Sequence, residues 1–360
     1  MKTIPLILAG GKGERFWPLS RSWRPKQLLS LSGPKTMIEE TVKRVRAASG
    51  NETPLIITGR DCERGIRKAL SGRGAYRCIV EPVGRNTAPA IALAAAWMQQ
   101  RYGEAVMLVA SADHAITPLD KYVHAVRAAV AVAKASDSLV VFGVAPTRPE
   151  TGYGYIEIGR RVPAAGARAR HCFFVKRFVE KPTLARARAY AASKNFLWNS
   201  GMFVWKTSVI LAEFRRSMPA LYEQAQRAGR RGFTKRAITS FYRSCESQSI
   251  DYGIMEHARR IVAVRGAFFW DDIGSWEAMA RIHRPNSRGT VAVGKGIFES
   301  DCENTIVHNT SGHAVAALGL KDTVLVATPD AVLAISRQLL PQIKKYLGMM
   351  KERGFSKKLF

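Results

Sequence analysis

A short apolar run, Ile4 to Leu8, gives way to Ala9-Gly10-Gly11-Lys12-Gly13-Glu14-Arg15-Phe16-Trp17-Pro18-Leu19-Ser20, with Pro25-Lys26-Gln27 close behind. The run reads as a first β-strand, so three glycines and fixed positive charge stand where a strand ends. Gly10, Gly11 and Gly13 can take positive φ without a Cβ clash, which lets the backbone close around a ligand and turn its N–H groups inward. Arg15 offers a planar fork for two oxygens and Lys26 a mobile point charge. Polyphosphate is the ligand that suits such a loop. Two better-known phosphate motifs are excluded. The dinucleotide fingerprint needs a third glycine where Phe16 stands, and a Walker A loop needs Ser or Thr after its Gly-Lys, where Gly13 stands.

Further along, strand-like runs alternate with helix-like ones. Thr3 to Leu8, Pro54 to Thr58, Tyr76 to Val80, Ala105 to Val109 and Ser138 to Val144 read as strands, with periodic segments near Met37 to Ala48, Cys62 to Leu70, Ala88 to Gln100 and Tyr122 to Lys134 between them. Such alternation predicts an α/β fold with a largely parallel sheet, in which ligands collect beyond the carboxyl ends of the strands. Thr87 is expected to cap the third long helix, with Pro89 in its first turn. After Gly152 the pattern changes to an alternating strand, then Cys172 to Glu180 and Asn195 to Trp205, which read as an insertion building a second wall over the sheet edge. From about Gly289 the apolar segments shorten into a small β-domain, closed by a helix from Arg337 to Glu352.

The opening segment resembles the signature of the sugar-1-phosphate nucleotidyltransferases, and Phe16-Trp17-Pro18-Leu19-Ser20 is similar to their mannose-1-phosphate guanylyltransferase branch. Matching blocks recur in order through Glu81 to Ala90, Ala110 to His114, Gly152 to Tyr155, Phe178 to Pro182, Trp198 to Phe203, Ser249 to Glu256 and Trp270 to Trp276. The resemblance implies a Rossmann-like nucleotidyltransferase domain over residues 1–288 with a mostly parallel mixed sheet. It also implies a small domain over residues 289–360, like a left-handed β-helix.

For the site, the resemblance implies GTP and mannose 1-phosphate as substrates and Mg²⁺ as cofactor; the alternatives are the same reaction on another sugar 1-phosphate or nucleoside triphosphate, and a basic nucleic-acid-binding protein on a retired transferase fold. Leu8, Ala9, Gly10, Gly11, Gly13, Arg15, Lys26, Arg85, Asn86, Pro89 and Ser111 would bind the nucleotide, with Asn86 suited to a guanine edge. Asp113 and Asp272 would hold the metal; Mg²⁺ keeps waters and takes phosphate oxygens, so one or two protein carboxylates suffice. Arg15, Lys26 and Asp113 are the expected catalytic groups. Glu180 and Asn199 suit sugar hydroxyls, Lys181 the sugar phosphate, and Gly154 a close backbone approach. Asp251 and Glu256 are read either as orienting groups or, for Asp251, as a helix cap. His114, Tyr153, Tyr155, Trp198 and Phe203 are expected to pack rather than to react. The chain departs from the family pattern at Ser111, Gly253 and His257, where proline, alanine and lysine are common.

The remaining composition bounds the partners. Cys62, Cys78, Cys172, Cys245 and Cys302 are scattered, odd in number and never in a C-x-x-C arrangement, which fits a reducing compartment and gives no metal pattern. The N-terminal apolar run is too short for a signal peptide and no stretch could span a bilayer, so a cytoplasmic protein without a membrane partner is expected. With the sequence ending at Phe360, no appended sugar-phosphate isomerase domain is expected. Oligomeric state is left open, a homodimer included. Net charge is +28, from 56 Lys and Arg against 28 Asp and Glu. The basic residues group at Arg160, Arg161, Arg168 and Arg170, at Arg227 to Arg236, and from Lys344 to Lys358. Without a nucleic-acid module, they imply a solvated basic surface with salt-sensitive, nonspecific binding of RNA or DNA.

Overall fold

A computed structural model describes residues 1–11, 13–163 and 171–360. Arg168 and Arg170 of the first basic group lie outside the described residues. In chain order, β1 (Thr3–Ala9), α1 (Met37–Ser49), β2 (Leu55–Gly59), α2 (Arg60–Ala69), β3 (Arg77–Glu81), α3 (Thr87–Tyr102), β4 (Val106–Ser111), β5 (Ala115–Thr117), α4 (Leu119–Ala135) and β6 (Leu139–Val144) follow the alternation read from the sequence. The helix starts have local causes. At α1, Thr36 accepts from the Glu39 N–H while the Glu39 carboxylate accepts from the Thr36 N–H, a reciprocal cap. At α3 the cap is Asn86, not Thr87: Asn86 sits at φ 67° and its side chain accepts from the Thr87 N–H. The Thr87 hydroxyl instead accepts from the distant Ile250 N–H at 2.8 Å.

The next part of the chain supplies β7 (Tyr155–Arg161), β8 (Cys172–Val179), α5 (Leu184–Ala192), β9 (Phe196–Lys206), α6 (Thr207–Ser217), α7 (Pro219–Arg230), α8 (Lys235–Ser244), β10 (Ile261–Arg265), β11 (Phe269–Asp271) and α9 (Met279–Ile282). These strands do not make a separate wall. Strands β7 to β10 join one nine-stranded sheet of order β3-β2-β1-β4-β9-β6-β10-β8-β7, while β11 pairs elsewhere. Strand β9 runs antiparallel between β4 and β6, and β7 and β8 extend the edge. Following the pairings, β1, β2, β3, β4, β6, β7 and β10 run one way and β8 and β9 the other. Only four of the nine pairings among the described residues are parallel, so the sheet is mixed rather than mostly parallel: β8 and β9 each run against neighbours on both sides.

Central strands read as unbroken apolar runs because helices cover both faces. One face packs Ile4, Leu6, Met107 and Val109 against α3, α6 and α7; the other packs Ile7, Val106 and Leu108 against α1 and α4. This leaves the carboxyl ends of β1, β3 and β4 open side by side. A small sheet of β11 against β5 brings Asp271 beside Ala115, close to the end of β4.

Beyond residue 288, β12 (Val291–Gly294), β13 (Ile297–Ser300), β14 (Ile306–Asn309), β15 (Val315–Leu318), β16 (Thr323–Thr328) and β17 (Ala331–Ser336) form two small sheets, β12-β14-β16-β17 and β13-β15. All pairings are parallel except β16 with β17. Ile306, Val324, Val326 and Leu340 share one buried cluster with Phe16, Leu19, Leu29 and Trp276, so this part underlies the signature turn. The terminal helix is shorter than the sequence predicts: residues Arg337–Gln342 form a 3-10 turn and α10 covers Ile343–Glu352. Pro341 is the cause, since it lacks an N–H and its ring disfavours helical geometry at Leu340. All five cysteines are free thiols. No helix among the described residues is long and apolar enough to cross a membrane.

Candidate active site

A cleft of about 310 Å³ opens where β1, β3 and β4 end, lined by Leu8, Gly10, Gly11, Ile57, Glu81, Gly84, Asn86, Thr87, Ala90, Ser111 and Asp113. The turn after β1 makes one wall. Gly11 sits at φ 104° and Gly13 at φ 61°, where a side chain would be strained. A Cβ on Gly13 would also fall 2.6 Å from the Lys26 backbone nitrogen, so only glycine lets the Pro25-Lys26-Gln27 segment close behind the loop. Arg15 is exposed on this turn.

Opposite, Glu81 closes the end of β3. It is buried, and the desolvation of its carboxyl raises the pKa to about 7, against a smaller downward pull from the Tyr242 phenol. The Arg85 Nε donates to the Tyr242 carbonyl at 3.0 Å, which fixes the Gly84-Arg85-Asn86 turn against α8.

The Lys26 ammonium lies at the centre. It meets the Asp113 carboxylate at 2.7 Å and donates to the main-chain carbonyls of Asp272 at 2.6 Å and Ile273 at 3.0 Å. Its three protons are therefore all engaged. Burial pushes the Asp113 carboxyl up, but Lys26, and His114 beyond it, hold it below the usual carboxylate range. His114 is kept below the ordinary histidine value by burial, against the opposing pull of Asp113. Its Nδ1 accepts from the Trp270 indole N–H at 3.2 Å, so neutral His114 is a packing partner as expected.

Adjacent Asp271 and Asp272 have different duties, which the sequence alone does not separate. Asp271 is buried in a two-pronged ion pair with Arg281, at 2.5 and 3.0 Å, and accepts from the Ile273 N–H at 2.8 Å. It shapes the turn. The Asp272 side chain accepts only from the Tyr153 hydroxyl, at 2.6 Å, among the described residues. The Asp113 carboxylate and the Asp272 main-chain carbonyl both meet the Lys26 ammonium, and the Asp272 carboxylate keeps one oxygen without a hydrogen-bond partner among the described residues. That donor set fits a hard divalent ion shared with phosphate oxygens.

A second group of side chains lies across the sheet. Gly154 has no room for a Cβ, which would run into the Glu180 carboxylate and lie 3.3 Å from the Asn199 Cβ. The Asn199 amide is fixed at both ends: Nδ2 donates to Asp251 at 2.9 Å and Oδ1 accepts from the Gly201 N–H at 3.0 Å. Asp251 therefore orients Asn199 and does not cap a helix. Burial, then the nearby Asp251, pushes the Glu180 carboxyl up to about 7, and its Oε2 is buried without a hydrogen-bond partner in the described structure. Burial also raises Asp251. Lys181, at φ 47°, reaches out with its ammonium 3.7 Å from Glu180. One departure from the family pattern has a local cause: a Cβ on Gly253 would lie 2.6 Å from the Met218 sulfur.

Of the residues named from sequence, the cleft brings together Leu8, Gly10, Gly11, Asn86, Ser111 and Asp113. Lys26 joins them through Asp113. Pro89 is buried inside the first turn of α3, and Arg85 is tied to α8 through its Nε. Glu81 also lines the cleft although the sequence does not mark it as a site residue; its signal is its place at the end of a strand and the start of a matching block.

A family model described as Nucleotidyl transferase matches residues 4–287. Mannose-1-phosphate guanylyltransferase ManC of Salmonella typhimurium is 39% identical to this chain over 98% of it and 74% of the relative. Mannose-1-phosphate guanylyltransferase of Escherichia coli K12 is 37% identical with the same coverage. A crystal structure described as mannose-1-phosphate geranyltransferase from Thermus thermophilus superposes with a TM-score of 0.87 at 32% identity, covering 98% of this chain and all of that one.

Proposed function

Since the chain belongs to the nucleotidyl transferase family, we propose that it transfers GMP from GTP to mannose 1-phosphate, giving GDP-mannose and pyrophosphate. A phosphate oxygen of mannose 1-phosphate attacks the α-phosphorus of GTP in line, the bond to the β-phosphate oxygen breaks, and pyrophosphate leaves. This needs no protein nucleophile; positioning and charge neutralisation carry it. The observation that carries the reading is a glycine turn and a Lys26–Asp113 pair meeting in one cleft at the ends of β1 and β4.

Gly10, Gly11, Gly13 and Arg15 hold the β- and γ-phosphates, and Lys26 neutralises charge on the reacting phosphate by exchanging one of its carbonyl partners. Asp113 and Asp272 would hold Mg²⁺, which when bound draws charge from the phosphate oxygens. Asn86 and the main chain around it take the base. Glu81 supports guanine in particular, because guanine offers two adjacent donors, N1–H and N2–H, that an ionised carboxylate accepts together. Glu180 and Asn199 take mannose hydroxyls, Lys181 its phosphate, and Gly154 lets the sugar approach the main chain.

We place the domain boundary near residue 288. Successive parallel registers, Val291 to Ile306 to Val324 and Ile297 to Val315, support a left-handed β-helix beyond it. The net charge of +28 supports attraction of anionic substrates and salt-sensitive, nonspecific contact with nucleic acid. Pyrophosphate release across four nucleoside triphosphates and several sugar 1-phosphates, with and without Mg²⁺, tests the reading. GTP with mannose 1-phosphate and metal should be the preferred set; equal or faster turnover of another pair overturns the substrate assignment.

A further inference from the structure

Tyr153 reads from sequence as core, and its ring does pack that way, edge-on to Trp198 with centroids 5.3 Å apart and to Trp270 at 5.0 Å. Its hydroxyl has another place. Arg148 Nη2 donates to it at 3.2 Å, and it lies 2.6 Å from Asp272 Oδ1. A guanidinium can only donate, so the tyrosine oxygen accepts there and its single proton must point to Asp272. A phenol keeps its proton at neutral pH, so the donor role is fixed by the geometry. The chain Arg148 to Tyr153 to Asp272 therefore has one direction.

We propose that Tyr153 is a positioning residue for the metal: it commits Asp272 Oδ1, fixes the carboxylate's rotation, and leaves Oδ2 for a divalent cation. This rests on the reading that Asp272 holds that cation. Room for the carboxylate comes from Gly274, whose added Cβ would fall 3.1 Å from Oδ2 and 3.3 Å from Oδ1. The main-chain carbonyl of Asp272 is held from the other side by Lys26 at 2.6 Å. Tyr153 also immediately precedes Gly154, the point of closest approach on the sugar side. The orientation of a metal carboxylate is thus built into the turn that leads into β7, beside the proposed sugar site.

The test titrates Mn²⁺ alone into the full chain, reading free ion by electron paramagnetic resonance, for the wild type, Tyr153→Phe and Asp272→Asn. Tyr153→Phe keeps the ring packing and should keep the melting temperature. Its Mn²⁺ affinity should fall about tenfold, in the range seen when a hydrogen-bond partner of a metal ligand is lost. Half-saturating Mg²⁺ for pyrophosphate release should rise by the same factor, with kcat restored at excess metal, which a merely structural defect would not allow. Wild-type Mn²⁺ affinity in Tyr153→Phe, with binding lost in Asp272→Asn, overturns the role of Tyr153. Undiminished binding in Asp272→Asn overturns the metal assignment instead. Should Tyr153→Phe fail to fold, Arg148→Met frees the hydroxyl to turn and should weaken Mn²⁺ in the same direction; unchanged affinity there contradicts the proposal.

Discussion

Around the signature turn, the proposed nucleotide site is built from main chain and cations: Gly11 and Gly13 at positive φ, exposed Arg15, and Lys26 paired with Asp113. Around Gly154, the proposed sugar site is built from partly buried carboxyls, Glu180 and Asp251, with the Asn199 amide fixed by Asp251. Their electrostatics run in opposite directions. Asp113 is held below the usual carboxylate range by its ammonium neighbour, whereas Glu180 is pushed up to about 7. A triphosphate carries fixed charge and needs fixed counter-charge. Hydroxyls carry none, and a carboxyl balanced between its two protonation states can accept from one or donate to it.

The largest expected effect tests the cationic side. Asp113→Ala should lower kcat by about 10³-fold or more, since it removes a group that positions the reacting phosphate through the metal. The measurement is made at a temperature where the variant is still folded, because buried Lys26 loses its partner. Near-normal pyrophosphate release would remove Asp113 from the site. Lys26→Ala should cost about 10²-fold in kcat and less in KM for GTP. If steady-state kinetics show only KM moving, Lys26 binds the ground state and the contrast between the halves weakens.

On the sugar side, Gly154→Ala should raise KM for mannose 1-phosphate about tenfold or more while KM for GTP stays near wild type, since the new methyl displaces Glu180. Comparable changes in both constants would show that the two halves are not separable. Glu81→Gln should reduce discrimination of GTP over ATP by about tenfold in kcat/KM, as one of two acceptors becomes a donor. With the Glu81 pKa at about 7, wild-type KM for GTP should rise as pH falls below that value. A pH-independent KM would argue against base contact.

The smallest effect is on stability. The folded-state pKa of Glu180 is raised above its ordinary value, so the folded chain holds a proton that the unfolded chain releases between about 4.5 and 7. Its stabilising contribution is present below that window and lost as pH rises through it. Glu180→Gln should therefore melt a few degrees above wild type at pH 8, with the difference closing toward pH 5. A constant difference across that range would place the proton elsewhere.

The same contrast explains what the sequence revealed. The cationic side is nearly contiguous: a strand, a glycine turn and a lysine within about the first thirty residues, so periodicity and φ preferences expose it. The sugar side draws Gly154, Glu180, Asn199 and Asp251 from four separate segments. Only the family resemblance connects them, since no local rule predicts that Asp251 will meet Asn199. The division of labour between Asp271 and Asp272 is likewise hidden, because it depends on Arg281 arriving from α9 and Tyr153 from the turn before β7. The cap of α3 was misplaced by one residue for a similar reason, as Thr87 is taken by Ile250. Strand β9 escaped its true position because antiparallel insertion between β4 and β6 leaves no mark on its own apolar run.

Central to the account is direct displacement, with the cleft supplying charge and position and no covalent intermediate. Turnover of a single diastereomer of guanosine 5′-O-(1-thiotriphosphate) with mannose 1-phosphate reads this at the reacting phosphorus. One in-line step predicts inversion of configuration in the GDP-mannose thio-analogue; retention would mean two displacements and a nucleotidylated side chain, and would contradict it.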